Sequence, residues 1–275
     1  MLVALAFALV VLASLAFHVA NPWRATPIAS NWGFIDDTMA LTFWITSGGF
    51  VAVILFVAYC LYRFRHRPGQ RAHYEPENKK VEAWLAIVTT IAVAILLAPG
   101  LKVWGQYISA PKDAMEVEAV GAQWSWSFRL PGADGKLGST DVRFIDDVNS
   151  LGVNPADPNG RDDLIVADSE LHLPVGKPVK VLLRSIDVLH DFYVPQIRAK
   201  MDLVPGIVTF LWFTPTLIGE YEILCAAFCG VGHPQMRGRL IVEAETDYAK
   251  WLAAQQTFEQ SRKSDASQSK HVSNP

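Results

Sequence analysis

The chain has 275 residues, a net charge of −3 and 51% hydrophobic side chains. That balance holds no basic excess, so no nucleic-acid partner is expected. Bulk figures alone fit one ordinary globular protein, but the apolar residues are unevenly spread. Residues 1–103 hold nearly all the long uncharged runs, whereas residues 104–275 are patterned like a water-soluble domain long enough to bury its own core.

Residues 1–20 are strongly apolar, and two readings stay open for them. Ser14-Leu15-Ala16 offers a small-residue cleavage site for a signal peptide, yet the positive n-region of such peptides is missing. The other reading is an uncleaved third transmembrane helix. Residues 21–104 read as a two-helix transmembrane hairpin. Residues 38–62 run without charge between Asp37 and Arg63, and residues 83–101 between Glu82 and Lys102. A helical span takes about 20 apolar residues, so both fit. Pro99 and Gly100 are tolerable close to an interface. Buried soluble helices are the plainer alternative, but two such runs so close together favour spans. The connecting loop carries Arg63, Arg65, Arg67, Arg71, Lys79 and Lys80 against Glu75 and Glu77, while residues 21–37 hold Arg24 alone as a basic residue. The positive-inside rule then makes the loop cytoplasmic. The C-terminal domain is expected on the periplasmic side of a bacterial inner membrane.

Residues 105–252 form the second domain. Short β-branched and aromatic runs predict strands over 115–120, 124–130, 179–185, 207–213, 220–225 and 239–242. The turn-rich stretch 131–160 predicts surface loops. Residues 246–256 predict one short amphipathic helix capped by Thr246. Residues 253–275 are assigned to a disordered polar tail, most plainly from Glu259 onward. Many short strands without intervening helices indicate an all-β sandwich or Greek-key barrel. No fixed-period repeat and no phosphate-binding glycine loop occur.

The chemistry concentrates in the twelve residues 225–236, Cys-Ala-Ala-Phe-Cys-Gly-Val-Gly-His-Pro-Gln-Met, with C-x3-C-x3-H-x2-M spacing. Thiolate, thioether and imidazole together select copper, whereas zinc gains little from a methionine. His190, at the end of a predicted strand, offers a second imidazole. Two cysteines, two histidines and a methionine are too many good ligands for one electron-transfer copper, and they suit two coppers bridged by both thiolates. The plainer reading is a Cys225–Cys229 disulfide in an oxidising compartment, against which the ligand spacing and the partner histidine count. Cys60 lies inside a membrane run and is read as packing. His18, His66, His73, His172 and His271 have no such company and are read as solvated or structural.

On these residues the chain resembles subunit II of the haem–copper respiratory oxidases, specifically cytochrome c oxidase, from about Asn31 to Leu252. The resemblance runs through the hairpin, Gln123-Trp124-Ser125-Trp126, Asp187-Val188-Leu189-His190, Lys200-Met201-Asp202-Leu203-Val204-Pro205-Gly206 and the ligand loop. It implies a membrane helical hairpin, with a possible third N-terminal helix, carrying an all-β cupredoxin-like Greek-key barrel with the binuclear copper centre CuA. It also implies His190, Cys225, Cys229, His233, Met236 and the backbone carbonyl of Ala227 as copper ligands. Quinol oxidases of the superfamily lack the cysteines, so their presence indicates a cytochrome donor. Two departures matter. The family usually has glutamate at Ala227; copper takes the carbonyl there, but the glutamate side chain also reaches a magnesium shared with subunit I, so that magnesium site is in question. The family also commonly has an aromatic residue at Ser125.

The resemblance makes Trp124 the point where electrons arrive, against the plainer reading of a rim or core aromatic on a strand. Glu82 matches a position proposed for proton uptake, although an acid at a helix N-terminus is also favoured by the dipole. Residues 104–275 carry 22 acidic against 16 basic side chains, which suits a basic donor, and Asp187 could belong to that surface. The function implied is electron relay from a separate c-type cytochrome to haem in subunit I, for oxygen reduction coupled to proton pumping. Subunits I and III and the lipid membrane are the partners, and haem is held only by the partner subunit. No Cys-x-x-Cys-His occurs, so the donor is not fused. The alternatives are a nitric oxide reductase whose second subunit keeps the copper pair, and a membrane-anchored copper chaperone of thioredoxin-like fold. A nitrous oxide reductase is disfavoured by the hairpin.

Overall fold

In the computed structural model the described residues are 2–20, 26–71, 74 and 76–264. The expectations for Arg24, His73, Glu75, His271 and the end of the tail lie outside them. The chain divides into two compact units. One holds residues up to Thr26 together with Phe34–Gly105, and the other holds Pro27–Gly33 and the chain from Gln106 on.

Three helices make the first unit: α1 (Leu2–Ala20), α2 (Gly33–Arg63) and α3 (Lys79–Tyr107). Each is long and apolar enough to cross a membrane. Their apolar side chains point outward all round, with scarcely a buried residue among them, which is how a helix looks when its solvent is lipid. α1 runs antiparallel to α2: the His18 ring stacks on Phe43 at 4.7 Å, and at the other end Leu2 and Leu5 line one groove with Tyr59 and Tyr62. α2 and α3 extend past the uncharged runs at both ends, because backbone hydrogen bonding continues through flanking polar residues. Glu82 sits in the first turn of α3. Asn78 Oδ1 caps that helix by accepting from the Val81 N–H at 3.2 Å.

The second unit is built from β1 (Met115–Ala122), β2 (Ser125–Leu130), β3 (Leu164–Val166), β4 (Glu170–Pro174), β5 (Val179–Ser185), β6 (His190–Val194), β7 (Ala199–Leu203), β8 (Thr209–Phe213), β9 (Gly219–Cys225), β10 (Arg237–Glu243) and α4 (Glu245–Ala254). They form two five-stranded sheets, ordered β3-β2-β1-β5-β8 and β4-β10-β9-β6-β7. β1–β5 and β4–β10 pair in parallel and the other pairs are antiparallel. This is the cupredoxin-like β-domain expected. The two-step side-chain period explains it: β5 buries Val179, Val181, Leu183 and Ser185 in strict alternation. Opposite faces contribute Trp126, Phe128, Phe192, Phe213, Leu171 and Ile223, each essentially sealed from solvent. Each such side chain contributes roughly 1.5–3 kcal/mol.

The six predicted strands are present with ends shifted by one or two residues, and four more were not foreseen: β3, β4, β6 and β7. β3 has only three residues, β4 ends on Pro174, and β6 opens on His-Asp before Pro195. Their neighbours on the sheet, not their own composition, hold them extended. Residues 123–124 form the two-residue turn of the β1–β2 hairpin, since Ala122 pairs with Ser125, so Trp124 is not on a strand. The helix cap is Ala244 and not Thr246, which lies inside α4. Pro27–Gly33, read only as an outer loop, packs on the β-unit. Trp32 is fully buried there, its indole donating to the Trp212 carbonyl at 2.8 Å.

The stretch 131–160 is irregular, as expected, but not all of it is surface. Leu151 and Val153 form a small core with Val120 and Phe258, and Asn149 ties the loop by bonds to the Phe144 and Val153 carbonyls. Part of the assigned disordered tail is ordered. Residues 258–264 are helical, and the N–H groups of Phe258 and Glu259 donate to the carbonyls of Asp163 (2.7 Å) and Arg161 (3.0 Å). A buried aromatic side chain amid a polar stretch is enough to dock it.

Candidate metal centre

β9 delivers Cys225 as its last residue, and β6 begins on His190; the Phe192–Cys225 register brings those two ends together. The chain then loops out through residues 226–232 and returns in a single 3-10 turn, His233–Gln235, which places His233 and Met236. The Cys225 N–H donates to the Met236 carbonyl at 3.3 Å and the Ala226 N–H to the Asp191 carbonyl at 3.1 Å. The loop is therefore closed at its base by sheet hydrogen bonds, so its sulfurs and nitrogens are held by rigid strands.

Five side chains converge. The Cys225 and Cys229 sulfurs lie 3.8 Å apart and both thiols are free, so the disulfide reading does not hold here. His190 Nδ1 faces Cys225 Sγ at 3.9 Å, and His233 Nδ1 faces Cys229 Sγ at 3.6 Å. Met236 Sδ lies 3.8 Å from Cys229 Sγ, and the Ala227 carbonyl 3.2 Å from Cys225 Sγ. His190, Cys225 and Cys229 alone offer donor atoms all within 4.8 Å of one another. His190 and Met236 are sealed from solvent and both cysteines are buried. Every residue predicted for the metal is thus in one cluster. Ala227 brings no side-chain oxygen to it.

The surroundings point each donor. Asp187 Oδ1 holds His190 Nε2 at 2.9 Å, which leaves Nδ1 aimed at the sulfurs. The same carboxylate accepts from the N–H groups of Gln123 and Val188, each at 2.6 Å. Burial works against its charge, but the bonds from Gln123, His190 and Val188 prevail and hold the Asp187 carboxyl below the usual carboxylate range. Asp187, read as surface charge, is therefore the residue that fixes the histidine. An acid three residues ahead of a metal-type histidine was the signal for it. Burial, then the neighbouring Cys225 sulfur, pushes the Cys229 thiol up to about 11. A bound cation would reverse that balance in favour of the thiolates. The donor set, soft sulfur with imidazole and no carboxylate ligand, fits copper.

Trp124 lies against the loop from the hairpin turn. Its indole N–H and the Gln123 amide both donate to the Cys229 carbonyl, at 3.1 and 2.9 Å. A Cβ on Gly232 would come within 2.3 Å of the Trp124 ring, so only glycine lets the indole lie flat there. Gln123 opens the Gln-Trp-Ser-Trp segment, but nothing in its local sequence marks its amide as a tie to the cysteine loop. Trp126 packs its edge on the His190 ring at 6.4 Å from behind. At the loop's outer rim Phe228 and Val231 are 81% and 88% exposed. Glu82 belongs to the helical unit and not to this cluster.

Among the other histidines, His172 is buried, stacked on Trp251 at 4.1 Å and hydrogen-bonded to Glu243 at 2.9 Å. His66 is exposed.

Residues 115–244 match the family model described as the periplasmic domain of cytochrome c oxidase subunit II. The alternative cytochrome c oxidase subunit 2 of Bradyrhizobium diazoefficiens is 58% identical over 258 residues, covering 94% of this chain and 93% of that protein. The cytochrome c oxidase subunit 2 of Cereibacter sphaeroides is 28% identical over 240 residues, covering 83% and 77%. Among solved structures, the periplasmic domain of cytochrome oxidase subunit II of Bradyrhizobium japonicum aligns with 53% of this chain and 95% of its own at 26% identity, with a TM-score of 0.39. With a full-length relative at this identity, the chain belongs to the cytochrome c oxidase subunit II family.

Proposed function

We propose that the chain is the electron-accepting subunit of a bacterial inner-membrane cytochrome c oxidase, with its β-domain in the periplasm. His190, Cys225, Cys229, His233, Met236 and the Ala227 carbonyl hold two copper ions, which when bound take up and release one electron at a time. The observation that carries this is the pairing of donors: two adjacent thiols, each faced by the Nδ1 of a different imidazole. A mononuclear site has no use for the second thiol–imidazole pair. Asp187 orients His190, and Trp126 and Met236 keep water from the donors. The sheet-closed loop keeps the geometry fixed, so little rearrangement accompanies a change of charge.

The donor is a separate c-type cytochrome, which docks on the rim formed by Phe228, Val231 and Trp124. The hydrogen bond from the Trp124 indole to the Cys229 carbonyl gives an arriving electron a short connection to a ligand residue. The acceptor is haem in oxidase subunit I, where oxygen is reduced. Glu82, exposed on the first turn of α3, is a candidate for proton uptake. A magnesium site has no side-chain ligand from position 227. The β-sandwich is not the thioredoxin-like fold of the copper-chaperone alternative.

The test is copper per chain and the electron paramagnetic resonance spectrum of the full-length chain purified in detergent. Two coppers sharing one unpaired electron support the proposal; one copper with a mononuclear spectrum refutes it. Oxygen and nitric oxide consumption by the assembled complex, driven by reduced cytochrome c, then separates oxidase from nitric oxide reductase.

A further inference from the structure

A buried carboxylate oxygen needs a hydrogen-bond donor or a cation beside it. Asp191, the second residue of β6, is 2% exposed, and its Oδ1 accepts no hydrogen bond among the described residues. Strand alternation turns its side chain to the face opposite His190 and Phe192. On that face its cross-strand partner is Asp202 of β7. Side chains directly opposite in an antiparallel pair start about 5 Å apart, and like charges there repel. The neighbouring cation does not resolve this. Lys200 Nζ stands 3.5 Å from Asp191 Oδ2, the other oxygen, and its side chain is 60% exposed. One loosely held ammonium thus faces two carboxylates.

The exposures of the two residues narrow the ligand. Asp191 sits too deep for a side chain of another protein to reach its Oδ1, whereas the exposed Asp202 gives a small ion a way in. Carboxylate oxygens are hard donors, which suit magnesium, manganese or calcium rather than copper. Calcium asks for about six to eight oxygens, but magnesium binds through one or two carboxylates and keeps several waters, so this pair is donor enough. We propose that Asp191 and Asp202 hold a divalent cation of the magnesium class on the outer face of the β6–β7 pair, with the Lys200 ammonium swinging aside as it enters. Neither residue is position 227, whose side chain the family resemblance points toward magnesium and which is alanine here. The proposal rests on these two carboxylates and not on the copper assignment.

The test is Mn2+ binding to the full-length chain in detergent, first saturated with copper so that the sulfur cluster takes up no manganese. Binding is read from loss of the free-ion electron paramagnetic resonance sextet at room temperature, with Mg2+ as competitor. The expected result is one saturable Mn2+ per chain, displaced by Mg2+. It should bind at least tenfold more weakly in Asp191→Asn and in Asp202→Asn, and equally well in Asp247→Asn, which alters an exposed acid on α4. Lys200→Met should bind it more tightly, because the competing ammonium is gone; a purely structural ion cluster gives no such gain. No saturable uptake, or uptake indifferent to both aspartate variants, would overturn the proposal. Copper content of the same samples separates a misfolded variant from a lost site, and Asp202→Asn, at an exposed position, is the variant that disturbs the fold least.

Discussion

At the scale of single residues, the ligand loop is governed by contacts that do not touch a metal. Asp187 is the sharpest case, because one carboxylate fixes His190 Nε2 and two backbone N–H groups. Asp187→Ala should weaken copper retention about tenfold to a hundredfold, the range expected for a lost outer partner of a metal histidine. Competition with a chelator, followed by the copper spectrum, measures it. Trp124 should act differently. Trp124→Leu should leave copper content and spectrum intact while slowing electron uptake from reduced cytochrome c at least tenfold in stopped-flow traces. Gly232→Ala should resemble it, because the added methyl cannot coexist with the flat indole. Equal rates in Trp124→Leu and the unsubstituted protein would remove Trp124 from the route.

At the scale of elements, the end of the chain is more than an appendage. Phe258 fills a small core with Val120, Leu151 and Val153, so it joins the 131–160 loop to β1. Phe258→Ala should cost about 3–5 kcal/mol, as for other buried phenylalanines, and should lower Tm in a thermal scan. α4 is held by the His172–Trp251 stack and by the His172–Glu243 bond. The sequence patterns for both were read as a helix and a loose tail because a polar stretch with one aromatic residue does not reveal what that residue meets.

At the scale of the whole β-unit, pH dependence follows from a buried charge cluster. Glu118 is buried between Arg129 (2.8 Å) and Arg184 (3.1 Å), and Arg129 also meets Asp163 at 2.6 Å. Burial raises the cost of Glu118's charge, but the two guanidinium groups outweigh it and its carboxyl is held below the ordinary value. A lowered folded value means stability that is present above the unfolded pKa and lost as pH falls through the folded one. Asp163 has the opposite sign: burial raises its value, so its charged form is disfavoured and protonation partly relieves the cost. The unfolding midpoint should therefore fall below about pH 4.3, the unfolded glutamate value. Glu118→Gln should lower Tm at pH 7, because it takes the shared carboxylate from the half-buried Arg184 and leaves the buried Arg129 with Asp163 alone, and should flatten that acid limb. A Tm–pH curve of unchanged shape in this variant would refute the assignment.

The membrane runs, the β-class of the second domain and the donor set of residues 225–236 were all legible in the sequence. Each rests on local chemistry: the length of an uncharged run, a two-residue alternation, and ligand types crowded into twelve positions. Other features required the tertiary structure. β6 and β7 are strands because neighbouring strands pair with them, and Trp32 is a core residue because Trp212 and Tyr107 close over it. Asp187 is a positioning residue because a turn folds its carboxylate back onto His190. The His18 ring stacks on Phe43 because α1 and α2 run antiparallel. Sequence specifies what each residue can offer; which groups meet depends on register and packing between segments far apart in the chain.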